Sequence, residues 1–221
     1  MSGERIFDAL LLSLSIAAIA TVVVGLLGGL VGRYLAQERR RGHVGRADVI
    51  DAISSLPLFL PPTVLGYYLT LLFGRSGPFG DLLGAVGIEV TFTWVGAAIA
   101  GAVVAFPLMV RSSRIAFSSI DPELERAAEL DGASLRNRWR YVILPLARSG
   151  LTGGLMLSFG RAIGEFGATL MIAGNIPGRT QTLPLAIYEA FTLGDDNAAT
   201  LMAMILTGVS VGVVFVGLRK G

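Results

Sequence analysis

The sequence predicts an all-α, polytopic membrane protein with about five transmembrane helices. Three observations carry that expectation. Charged residues make up 15% of the chain, against roughly 25% in a soluble domain. Four runs of 21 to 24 residues carry no charge, and about 20 apolar residues cross a bilayer core. The arginines gather in alternate connecting segments, as they do where one side of a membrane collects them.

The elements follow in order. The first charge-free run, 9–32, defines a span over about 6–33. Its basic cluster "QERRRGHVGR" follows the apolar run, the reverse of a secretory signal peptide. The second run, 52–74, sits in a span over 51–74 and contains "LPLFLPPTVLG". Pro57, Pro61 and Pro62 there remove backbone donors. Carbonyls freed inside a membrane must face protein or a watery cavity, so this is either a cavity-lining broken helix or a packing kink. The third run, 90–110, gives a span over 90–112. The fourth, over 142–173, is interrupted by Arg148, Arg161 and Glu165. The last covers 197–219, with Asp195, Asp196 or Asn197 as its cap. Together these form one transmembrane domain, 1–221, with a polar loop at 113–141. Glycines four apart, such as Gly28 with Gly32 and Gly208 with Gly212, suit close helix packing in lipid.

Charge sets the expected orientation. With the N-terminus outside, segments 33–51, 111–148 and 219–221 lie inside and hold 14 of the 18 basic residues. The outside segments hold Arg5, Arg75 and Arg179. The expectation is a multi-pass protein of the cell membrane, N-terminus out and C-terminus in.

The inside loop has its own grammar. Asp121 caps a helix whose first residue is Pro122. Glu123 and Glu125 suit the positive end of its dipole, and Gly132 ends it in a left-handed conformation. Ser134 caps a second helix whose residues Leu135, Trp139, Val142 and Ile143 share a face. Glu125, Ala128, Glu129 and Gly132 share a face of the first helix. That face either docks into a groove on a soluble partner or is an ordinary solvated surface.

Several chemistries are excluded. Cysteine is absent and His43 is the only histidine, so a thiolate metal site is impossible and a Ser-His-Asp triad would have to use His43. No G-x-x-x-x-G-K-[ST] phosphate loop is present. No metal, resident cofactor or nucleic-acid partner is expected.

Glu125-x-Ala127-Ala128-x-x-x-Gly132, followed after nine residues by Val142, Ile143, Leu144 and Pro145, resembles the EAA motif of ABC-importer permeases. Arg126 stands where the motif's first alanine falls, and Val142 replaces an isoleucine. Segments 56–69, 74–80, 106–117 and 160–190 look like the molybdate branch of that family. Tungstate and sulfate/thiosulfate permeases share the R-A-x-x-E-x-G pattern seen at Arg161 to Gly167. The resemblance implies an ABC importer permease fold and a homodimer. It implies two ABC ATPase subunits that hold ATP-Mg, and an external substrate-binding protein. The substrate it implies is molybdate, with tungstate or sulfate/thiosulfate as alternatives. In that family the loop is a coupling helix, which assigns Glu125, Ala127, Ala128, Glu129 and Gly132 to ATPase contact. Such a subunit binds no ATP and is not itself an enzyme.

Residues for the pathway or gate are Pro61, Pro62, Arg161, Glu165, Asn175, Arg179, Thr180 and Thr182. Charges inside a membrane usually face the bundle interior or a pore. Arg161 and Glu165, four apart, serve either as a structural ion pair or as a lining charge for a dianion. Asn175, Arg179, Thr180, Gln181 and Thr182 form a polar outer turn, either a gate or a solvated loop. A motor-independent secondary transporter or channel is the alternative from another class; it calls for inverted repeats or a set of buried carboxylates.

Overall fold

A computed structural model describes residues 3–220 and is all-helical among them. Met1, Ser2 and Gly221, the ends of the expected domain and of the basic segment 219–221, lie outside the described residues. The order is α1 (Gly3–Arg40), α2 (Val44–Phe59), α3 (Pro62–Phe73), α4 (Pro78–Gly84), α5 (Trp94–Ser118), α6 (Pro122–Leu130), α7 (Leu135–Arg138), α8 (Leu144–Ile163), α9 (Gly167–Ala173), α10 (Leu183–Thr192) and α11 (Asp196–Lys220). Four helices are long and apolar enough to cross a membrane, and the bent pair α2–α3 makes a fifth crossing if counted as one.

α1 runs seven residues past the expected span. Leu35 and Ala36 pack fully inside, and Arg39 and Arg40 in the last turn complement the helix dipole. α1 and α5 are the central pair. A side chain at Gly32 would meet the Ser113 Cβ at 2.5 Å and the Val110 carbonyl oxygen at 2.8 Å, so only glycine permits this approach. Nothing lies within 4 Å of a Cβ at Gly208 or Gly212; the other glycine pair leaves its face open.

The second span breaks sharply. Pro61 forces Leu60 out of the helical region, and Pro62 forces out Pro61. Both are extended, with ψ of 137° and 136°. Two extended residues in succession turn α3 by 111° from α2, too much for a packing kink.

Where the sequence suggested one span over 142–173, α8 stops at Ile163 and α9 starts at Gly167. Gly164 leaves the helix at φ −88°, ψ 7°, and Glu165 then accepts the Ala168 N–H at 2.8 Å. A carboxylate placed to satisfy a free donor of a new helix ends the old one.

α7 and α8 are joined by a π-helical turn, Trp139–Ile143, in which the Leu144 N–H reaches the Trp139 carbonyl. Pro145 explains it. It cannot donate to the Tyr141 carbonyl, and its ring would strike that group in an α-helix. One wider turn relieves the clash. The turn also upsets the expected shared face: Ile143 is buried, whereas Leu135 is exposed.

Candidate functional site

Two regions gather the chemistry. The first is α6 and its mounting. Asp121 Oδ1 accepts the Glu123 N–H at 2.9 Å, Pro122 opens the helix, and Ser134 Oγ accepts the Asn137 N–H at 3.3 Å. Gly132 sits at φ +78°. The Gly132 and Ala133 N–H groups close on the carbonyls of Glu129 and Ala128, a complete left-handed helix stop.

The expected docking face is turned differently. Glu125 points into the protein. Arg33 Nη1 and Nη2 donate to its two oxygens at 3.1 and 2.7 Å, and Arg40 Nη1 adds a bond of 3.1 Å. Arg33 is buried and lies against the edge-to-face pair of Phe117 and Trp139, 5.4 and 5.7 Å from their centroids. Arg40 Nη2 also donates to the carbonyls of Phe117 and Ile120, which finishes the C-terminus of α5. Burial pushes the Glu125 carboxyl up, but the hydrogen bonds and charges of Arg33 and Arg40 outweigh it and hold it below the ordinary carboxylate value. Ala128 is half-buried beside it. Ala127, Glu129 and Gly132 remain exposed, and Arg138 binds Glu129 at 2.7 Å. The outward apolar face is Leu124, Ala127 and Leu130, the last 88% exposed. Sequence reading counted Arg33 and Arg40 only as topology signals. Their phase on α1, seven apart, was the clue that they share a face.

The second region is the pair of broken spans. α3 and α9 run side by side, with Gly167 opposite Pro62 and Gly66 opposite Ala168 and Met171. A Cβ at Gly66 would lie 2.8 Å from the Ala168 backbone. Thr70 Oγ1 bridges to the Met171 carbonyl at 3.2 Å. Both half-helices therefore begin at the same place, and Pro61 and Pro62 are exposed there. Glu165 is buried and binds Arg161 Nη1 at 2.7 Å. The Arg161 side chain stays a third exposed. An ion pair with a buried acid and a partly exposed cation thus stands where two spans are interrupted.

The polar turn after α9 is a packed knot. Asn175 Nδ2 donates to Glu189 at 2.9 Å, and the Gln181 amide donates to Asn175 at 3.0 Å and to Glu189. Thr180 Oγ1 accepts the Ile176 N–H at 3.0 Å. Thr180, Gln181 and Thr182 are buried, while Arg179 is exposed. Glu189 was missed in the sequence; a single acid in "LPLAIYEAF" was the available signal. A cleft of about 610 Å³ lined by Arg5, Asp8, Ser15, Gly178 and Gln181 lies where this turn meets the start of α1. Among the described residues no hydrogen bond joins the turn to the Arg161–Glu165 pair.

The family described as "Binding-protein-dependent transport system inner membrane component" matches residues 28–220. The chain belongs to that family. It is 42% identical over 219 residues to YvgM of Bacillus subtilis, covering 97% of this chain and 93% of that one. It is 41% identical over 204 residues to the molybdenum transport system permease protein ModB of Escherichia coli K12, covering 90% and 86%. The sulfate transport system permease protein CysT of Salmonella typhimurium is 34% identical over 97% of this chain and 76% of its own length. A solved structure of the MetNI methionine ABC transporter in inward-facing conformations matches with TM-score 0.77 at 19% identity, over 99% of this chain and 97% of that one. The all-α membrane architecture expected for such an inner membrane component is the one found. The chain is a transport component rather than a catalyst.

Proposed function

We propose that this chain is the permease subunit of an ATP-driven importer of molybdate, translocating the dianion by alternating access. The observation that carries the motor half is α6: a capped helix with an exposed apolar face, bolted to the membrane body by two arginines. A helix so mounted moves only with what it is bolted to. Partner ATPases seated on Leu124, Ala127 and Leu130 would pull the body with them. Two copies of this chain form the pathway, the ATPases hold ATP-Mg, and a binding protein presents the anion at the side of the polar turn. In this reading the N-terminus is outside and the C-terminus in the cytoplasm, which the basic residues of 33–51 and 111–148 support.

The substrate half rests on the relatives. Identity to the molybdenum permease exceeds that to the sulfate permease, and Arg161, ion-paired but partly exposed, is a cation of the right sign for either dianion. Tungstate, of the same charge and shape, is the expected competitor. Sulfate is the second reading, favoured by the identity with CysT over nearly the whole chain.

The test is uptake of labelled molybdate into proteoliposomes holding this chain, its ATPase and its binding protein. Uptake should need ATP and the binding protein, fall with excess tungstate and persist with excess sulfate. Equal competition by sulfate would move the assignment to sulfate, and uptake without an ATPase would overturn the motor.

A further inference from the structure

α1 is fastened at two distant points by different chemistry. At the α6 end, Arg33 and Arg40 take both oxygens of Glu125, and Arg40 also takes the last carbonyls of α5. At the other end, Ser13 Oγ accepts the N–H of Leu183 at 2.7 Å in a fully buried contact. Leu183 opens α10, directly after the polar turn. Ile6 and Ala9 of α1 pack there against Leu183, Ala186 and Ala190. Ser13 and Arg33 lie 20 residues apart on an unbroken helix, about 30 Å along its axis.

We propose that Arg33 and Arg40 are positioning residues for transport: they make α6 one body with α1, and α1 carries the displacement of α6 to the polar turn through Ser13. This rests on α6 being the seat of the ATPase. The peptide links on either side of α6, at 119–121 and 131–134, are non-helical and transmit rotation poorly. The guanidinium fork does better. It fixes both oxygens of Glu125 in one plane, and two ring faces hold the guanidinium in place. The far fastening is equally specific. Leu183 N–H is a free donor of a helix start, and a buried donor without an acceptor is costly. Ser13 supplies that acceptor from across the fold, so α10 follows α1.

The experiment uses the full complex in proteoliposomes and reads two quantities: basal ATP hydrolysis, and its stimulation by the molybdate-loaded binding protein. The variants are Arg33→Gln, Arg40→Gln, Ser13→Ala and the double Arg33→Gln/Ser13→Ala. Each single variant should keep ATPase docking and basal hydrolysis yet lose stimulation and uptake per ATP by roughly 2- to 30-fold. The double should lose no more than the worse single, because one linkage is cut twice. Arg33→Lys, which keeps the charge but not the fork, should recover part of the loss. Losses that multiply in the double would show two independent routes, and stimulation intact in Ser13→Ala would remove α1 as the carrier; either result overturns the proposal. If Arg33→Gln fails to assemble, Arg40→Gln decides it alone, since retained stimulation there contradicts the joint. Failure of the unaltered complex to take up molybdate counts against the substrate reading instead. Stimulation by the binding protein loaded with sulfate or tungstate still reads the linkage in that case.

Discussion

The two broken spans end at the same place by opposite means. Between α2 and α3 the chain breaks because prolines withhold donors and forbid the helical region. Between α8 and α9 it breaks because a carboxylate supplies an acceptor to a new helix. The first break is written into the backbone and involves no charge. The second depends on a buried acid that is itself balanced by Arg161. A break made by omission tolerates substitution, whereas one made by a charge fails when either partner is removed.

Glu165→Ala tests that contrast hardest. It strands Arg161 inside the membrane region and frees the Ala168 N–H, so it should cost about 3–5 kcal/mol. Thermal unfolding in detergent reads this directly. Pro61→Ala should cost less than about 2 kcal/mol; an equal loss would erase the distinction. Next comes repair: Arg161→Met/Glu165→Gln removes both charges and keeps an acceptor for Ala168. It should recover at least half of the Glu165→Ala loss, because the pair leaves together. Gly66→Ala addresses the packing that aligns the two half-helices and should cost about 1–3 kcal/mol, since the Ala168 backbone must move. A smaller change, about 1 kcal/mol, is expected for Gly132→Ala, where left-handed strain acts alone with open space around it.

Glu125 extends the comparison to pH. Its carboxyl is held below the ordinary value in the folded chain. The stability it contributes is therefore complete above the unfolded carboxylate value of 4.5 and lost as pH falls through the lower folded value. Protection of the amides over 122–132, corrected for the intrinsic pH dependence of exchange, should be full at neutral pH and fall only in acid, below the unfolded value of 4.5. The prolines hold Leu60 and Pro61 without any titrating group, so exchange around that bend should not follow the same profile.

Much of this was readable from the chain because local chemistry decided it. Asp121, Pro122, Gly132 and Ser134 mark boundaries that depend on their own neighbours only. The Arg161–Glu165 pair also needed no more than a spacing of four. What escaped depended on distant partners. Glu125 was assigned to an outward face because helical spacing says which residues share a face but not where that face points. Only Arg33 and Arg40, more than eighty residues away in sequence, decide that. Glu189 and Ser13 escaped likewise, since nothing near either names Gln181 or Leu183 as its partner. The polar turn was left open between a gate and a solvated loop, because loops usually lie at the surface and nothing local shows this one packing inward.

The π-turn at Trp139–Ile143 sets a limit on how this loop can change length. Each helical residue turns the chain by about 100°, and the wide turn absorbs one residue's worth of that rotation. Deleting any one residue between Leu135 and Leu144 would press the turn back toward ordinary helix against Pro145, or swing everything before it by about 100°. The non-helical link at 131–134 would absorb part of that swing, and the rest would strain the joint of Glu125 with Arg33 and Arg40. The nine residues between Gly132 and Val142 are therefore a phase setting: insertions and deletions here should survive only in whole turns or in compensating pairs, even where every side chain is free to vary.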